Sequence, residues 1–145
     1  MSAAARLSLE LHATPEEVMR AVEELRKFGE GLGIAEKPLF GLALALEESG
    51  SNIINHALKR DSTQKFQVLV ERKGRALTIE LRDRGPEFDP TLTIPQNGSS
   101  NDEDDKPPGG WGIQLVRRYI DEIRYSREAE ENVLLLTKRL DGAGN

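Results

Sequence analysis

Leu44-Ala45-Leu46-Glu47-Glu48-Ser49-Gly50-Ser51-Asn52-Ile53-Ile54-Asn55-His56-Ala57 passes from an apolar run into a stack of polar groups with no sign that the helix stops. At 3.6 residues per turn, positions 48, 52 and 56 share one face. Their neighbours are Leu and Ile, so the polar groups need an explanation. One reading is a solvated stripe on an amphipathic helix. The other is a set of side chains gathered for a ligand. Gly50 bears on the choice, because glycine is a poor helix former in mid-helix. With Ser49 and Ser51 it would also let another group approach the backbone closely. On spacing alone both readings stay open.

The helix carrying this stretch is expected to begin after Glu36, with Pro38 in its first turn, and to run to about Leu58. Lys59 and Arg60 then suit the negative end of its macrodipole. N-terminal to it, Leu7, Leu9 and Leu11 alternate with Arg6, Ser8, Glu10 and His12, the period of a strand with one buried face. Thr14-Pro15-Glu16-Glu17 reads as a helix start: a capping Thr, a first-turn Pro and a Glu completing a capping box. Val18, Ala21, Val22, Leu25 and Phe28 follow at helical spacing, and Gly29, Gly31 and Gly33 end that helix.

C-terminal to the opening stretch, Phe66–Val70 and Leu77–Leu81 read as strands joined by the tight turn Lys73-Gly74-Arg75. The pattern breaks after Asp83-Arg84-Gly85. Residues 90–108 hold four prolines, a polar run and the acidic cluster Asp102-Glu103-Asp104-Asp105. A loop this long inside a compact domain is a functional lid or a disordered insert, and a mobile lid at about 90–108 is expected. Gly109-Gly110-Trp111-Gly112 then opens a third helix over Ile113 to Asp121. Two closing strands follow, around Ile123–Tyr125 and Val133–Leu140, joined by the acidic turn Glu128 to Asn132. The element order predicts an α/β two-layer sandwich, a mainly antiparallel mixed sheet with helices on one face.

Composition narrows the function. The 145 residues suit a single domain, 1–145, that can bury a real core. A net charge of -5 argues against a broad nucleic-acid face. Cysteine is absent and His12 and His56 are the two histidines, so neither a disulfide framework nor a thiolate or histidine-rich metal site is expected. No apolar run reaches the length of a membrane span and no signal-peptide layout stands at the start. The expected location is the cytoplasm, away from membranes.

Two further motifs carry chemistry. Asp83-Arg84-Gly85 follows a strand directly. It is an ordinary turn composition, yet a strand-end Asp can also accept a hydrogen bond from an exocyclic amine such as adenine's, with glycine permitting close backbone approach. Gly109-Gly110-Trp111-Gly112 precedes a helix, where free N–H groups and the positive dipole end suit phosphate. It matches neither the Walker pattern, which needs Gly-Lys-Ser/Thr, nor the Rossmann fingerprint, which follows a strand.

In this order the motifs resemble the GHKL (Bergerat-fold) ATPase/kinase superfamily, and within it the anti-sigma factor serine/threonine kinases. Leu44–Ala57 resembles that group's signature of two acidic residues, an Asn and a His-Ala. Asp83–Pro90 resembles its adenine box, and Gly110-Trp111-Gly112-Ile113 with Leu115-Val116 its second glycine box. The resemblance implies ATP and Mg²⁺ as cofactors. It implies that Glu48 is the catalytic base and Asn52 the metal ligand. Asp83 and Gly85 would hold adenine, and Gly110, Trp111, Gly112 and Ile113 the phosphates. Glu47, rotated about 100° from Glu48, takes a structural or supporting role. Trp111 as a phosphate shield or as packing, and His56 as phosphate-proximal or locally satisfied, remain open pairs of readings.

The implied function is an anti-sigma factor with serine/threonine kinase activity. Its partners are a sigma factor and an anti-anti-sigma (STAS-type) protein, and it forms a homodimer. The alternatives are a nucleotide-gated binding module without kinase activity, or a GHKL ATPase. The chain departs from the superfamily at two places. Asn132 stands where a Thr near the adenine is usual, with Thr137 too far along, and Glu87 replaces a small residue or proline. In the expected lid, Lys106 is the sole cation.

Overall fold

Along β1 (Arg6–His12), Leu7, Leu9 and Leu11 face the core and pair in register with Val70, Val68 and Phe66 of β2 (Lys65–Lys73). The computed structural model describes residues 5–92 and 112–140. β2 turns at Gly74, whose φ of 61° is the left-handed value a tight hairpin requires, and returns as β3 (Ala76–Asp83). The chain closes with a second hairpin, β4 (Glu122–Glu128) and β5 (Glu131–Arg139). Its turn residues Ala129 and Glu130 both hold positive φ, 51° and 68°, a conformation that favours Asn or Gly.

The sheet runs β1-β2-β3-β5-β4. All four pairings are antiparallel, where the sequence order left room for a mixed sheet. The reason is topological: the connection after β3 delivers β4 to the edge beyond β5, and the hairpin then places β5 antiparallel to both neighbours. The two-layer α/β sandwich is otherwise as expected.

The other layer is helical. α1 (Pro15–Gly31) opens with Thr14 Oγ1 accepting from the Glu17 N–H at 3.2 Å. The Glu17 carboxylate reaches past the cap residue to accept from the His12 N–H at 3.1 Å. Its hydrogen bonds from Arg20 and from His12 draw its pKa down to about 2. α2 (Glu36–Asn52) lies in the middle of the layer and α3 spans Gly112–Tyr119. Leu25, Leu42, Leu46 and Val116 from the helices meet Val68, Ile79, Leu81 and Leu136 from the sheet in one core.

Two expectations change. Gly50 does not open the helix to a ligand: a Cβ there would lie 3.2 Å from Val18, so the small residue lets α1 pack closely on α2. Nor does α2 run to Leu58 as an α-helix. From Ile53 to Ala57 it widens into a π-turn, closed by the Leu58 N–H donating to the Ile53 carbonyl at 2.8 Å. His56 lies within this π-turn. Among the described residues no helix is long and apolar enough to cross a membrane. Residues 93–111, most of the expected lid with Lys106, lie outside the described residues; of its start, Pro90–Leu92 forms a 3-10 turn.

Candidate functional site

β3 ends on Asp83, which continues the inward alternation of Leu77, Ile79 and Leu81. α2 ends on Asn52. The two ends line one recess, whose walls also include Ser49 and Ile53 from the helical layer and Tyr125, Asn132 and Leu134 from the sheet. Phe88 and Pro90, on the loop after β3, close its outer side. The space it encloses is about 10 Å³, near the minimum that holds one water.

The sheet wall is a connected polar network. Asp83 is 4% exposed. Burial pushes its carboxyl pKa up, while hydrogen bonds from Asn132 and Gly85 and the charge of Arg127 pull it down. Oδ1 accepts from Asn132 Nδ2 at 2.9 Å and from the Gly85 N–H at 2.8 Å. Both bonds fall on one oxygen, which leaves Oδ2 for an incoming donor. Asn132 is used at both ends of its amide. Nδ2 also donates to the Pro86 carbonyl at 2.9 Å, and Oδ1 accepts from the Phe88 N–H, the Tyr125 hydroxyl and the Arg127 guanidinium. Arg127 also donates to the Gly85 carbonyl at 2.8 Å. One buried amide thus fixes the Asp83 carboxylate, the loop behind it and the β4–β5 hairpin.

Gly85 earns its place by packing. A Cβ would sit 2.4 Å from the Ala57 carbonyl oxygen, so only glycine lets this loop pass the end of the π-turn. On the same side the His56 ring stacks on Phe88, with centroids 5.1 Å apart and planes at 16°.

The helix wall is different. Asn52 is 5% exposed, and no described residue hydrogen-bonds its side-chain amide. Ser49 is 1% exposed and its hydroxyl has no hydrogen-bond partner. Glu48 stands one turn before Asn52, half-buried and outside the lining of the recess. Burial, with a smaller contribution from the Glu47 charge, raises its pKa above the usual glutamate range. A carboxyl with a raised pKa is suited to taking up a proton.

The structure thus brings Asn52 and Asp83 together, sets Gly85 behind Asp83 and leaves Glu48 a turn away. Gly110 and Trp111 lie outside the described residues, and Gly112 is the first residue of α3. Ile113 is 2% exposed within the core, so only its backbone at the helix start is left to meet a phosphate. Sequence reasoning read Ser49 only as a small residue beside Gly50, passed over Tyr125 and Arg127 as site residues, and treated Asn132 as a departure. No local pattern could have placed Asn132 on Asp83, because their register depends on β5 pairing with β3.

An antiparallel sheet backed by helices, with an acidic strand end facing an Asn-bearing helix, defines a GHKL-type ATP-binding domain. The comparisons agree. Residues 11–138 match the histidine kinase-like ATPase domain family, and the chain belongs to it. The serine/threonine-protein kinase BtrW of Bordetella bronchiseptica is 29% identical over 98 residues, 68% of each chain. The RsbU and RsbW domains of Rv1364c from Mycobacterium tuberculosis superpose with a TM-score of 0.68 at 20% identity. That match covers 94% of this chain and 32% of the other, so this chain spans about a third of its length. The histidine kinase AdeS of Acinetobacter baumannii gives a TM-score of 0.50 at 13% identity, covering 94% of this chain and 68% of that one. Membership of this family carries an ATP-using kinase or ATPase role.

Proposed function

We propose that the chain is an ATP- and Mg²⁺-dependent protein serine/threonine kinase of the anti-sigma type, acting on an anti-anti-sigma (STAS-type) partner and holding a sigma factor. The observation that carries the reading is the meeting of Asn52 with Asp83 one helical turn from a carboxylate, Glu48, whose pKa is raised.

Asp83 Oδ2 accepts from the exocyclic amine of adenine. Asn52 fits a Mg²⁺ ligand: it is buried in the wall of the recess, and Mg²⁺ takes few protein ligands, keeping waters and phosphate oxygens. When bound, the ion offsets phosphate charge. Glu48 orients the partner's hydroxyl and takes its proton as the oxygen bonds to the γ-phosphorus and ADP leaves. Purine entry displaces the Phe88–Pro90 segment, because the recess as it stands holds about 10 Å³. β1 is an edge strand, which supports pairing with a second copy as a homodimer.

The test is incubation with labelled ATP, Mg²⁺ and a candidate STAS-type partner. Phosphate should appear on a partner Ser or Thr, and Glu48→Ala should abolish transfer while ATP still binds. ATP binding without labelling of any such partner would overturn the kinase reading and leave a nucleotide-gated capture module.

A further inference from the structure

Ser49 is the one buried side-chain polar atom among the described residues with no hydrogen-bond partner. Its position makes this unusual. A serine inside a helix can hydrogen-bond back to the carbonyl one turn earlier, and Ser49 Oγ does not. The residue is 1% exposed, so water in bulk does not serve it either. It lines the recess shared by Asp83 and Asn52. Such a group is costly to bury unless something fills its valence.

We infer that the Ser49 hydroxyl reads the base of the nucleotide, hydrogen-bonding the purine ring nitrogen N1 directly or across one trapped water. The inference rests on the nucleotide reading above. Ser49 and Asp83 are both deeply buried, on opposite walls. The sugar at N9 must point to the mouth of the recess, so the edge bearing N1 and the 6-amino group enters first. Asp83 Oδ2 takes the amine, and N1, the adjacent atom, accepts from a hydroxyl on the facing helix. Guanine carries N–H at N1 and an oxygen at C6, which would set that oxygen against the Asp83 carboxylate. The pair therefore selects adenine on two atoms rather than one.

The experiment compares binding of Mg²⁺-ATP with that of Mg²⁺-1-deaza-ATP, which lacks only the ring nitrogen, in the wild type and in Ser49→Ala. Wild type is expected to prefer ATP by about tenfold, the worth of one such hydrogen bond. Ser49→Ala should bind both ligands alike, at the wild-type affinity for the deaza compound. Melting of the ligand-free proteins gives an independent readout. Ala is the better helix former and leaves no unpaired hydroxyl, so the variant should melt at or above wild type although it binds ATP more weakly. Equal binding of both ligands by wild type, or an undiminished preference in Ser49→Ala, overturns the inference. A loss of ATP affinity accompanied by a lower melting temperature overturns it too, by making Ser49 structural. If wild type binds neither ligand, the nucleotide reading itself fails.

Discussion

The two walls of the recess differ in how their polar groups are satisfied. On the sheet wall, Asp83, Asn132, Tyr125, Arg127 and the loop at 85–88 bond to one another. On the helix wall, the Ser49 hydroxyl has no partner, no described residue hydrogen-bonds the Asn52 amide, and the pKa of Glu48 is raised chiefly by burial. A connected network fixes geometry before any ligand arrives. Unsatisfied groups on a helix rigidified by packing are costly in the empty protein and are offset on binding. The sheet wall is held in position by its own hydrogen bonds, and the helix wall by packing alone.

Substitutions on the two walls should therefore move different observables. The largest effect is expected from Glu48→Gln, which should slow phosphoryl transfer by about 10²–10⁴-fold while ATP affinity, measured by titration calorimetry, stays near wild type. An equal loss of affinity would make Glu48 a binding group and blur the contrast. Asn132→Ala strikes the sheet wall instead. It removes the Asn132 bonds to Asp83, the Pro86 carbonyl and the Phe88 N–H together, and should cost about 3 kcal/mol in urea unfolding. A loss below about 1 kcal/mol would mean that the network is not what fixes the wall.

The pH dependence of Glu48 separates its two roles. Because its folded pKa is raised, stability is greater below the ordinary glutamate value and falls as pH rises towards the raised one. Activity runs the other way, needing the deprotonated carboxylate, so its acid limb should lie above the ordinary glutamate range. Removing the neighbouring charge with Glu47→Gln should shift that limb to lower pH. An unmoved limb would remove Glu47 from the site. Smallest of all, Ala129→Asn with Glu130→Gly should relax two positive-φ residues and raise unfolding stability by about 1 kcal/mol. ATP affinity should hold, because the sheet wall is already fixed.

Much of this was legible in the sequence. The alternation of Leu7, Leu9 and Leu11, the Thr14-Pro15-Glu17 start, the glycine turn at 74 and the paired closing strands carried the two-layer fold, since each is a local signal that burial and turn geometry enforce. The spacing of Glu48 and Asn52 and the strand-end Asp83 were readable for the same reason. Tertiary structure alone decided the rest. It reassigned Gly50 from ligand access to Val18 packing, and Gly85 to clearance of the Ala57 carbonyl. It ended α2 in a π-turn that sets the His56 ring against Phe88. Pairing β5 with β3 set Asn132 opposite Asp83, turning an apparent departure into the centre of the sheet wall. It also buried Ser49, one of two serines flanking Gly50, with no hydrogen-bond partner for its hydroxyl. Local periodicity says which face a residue takes. Which partner waits on that face depends on contacts between residues far apart in the chain.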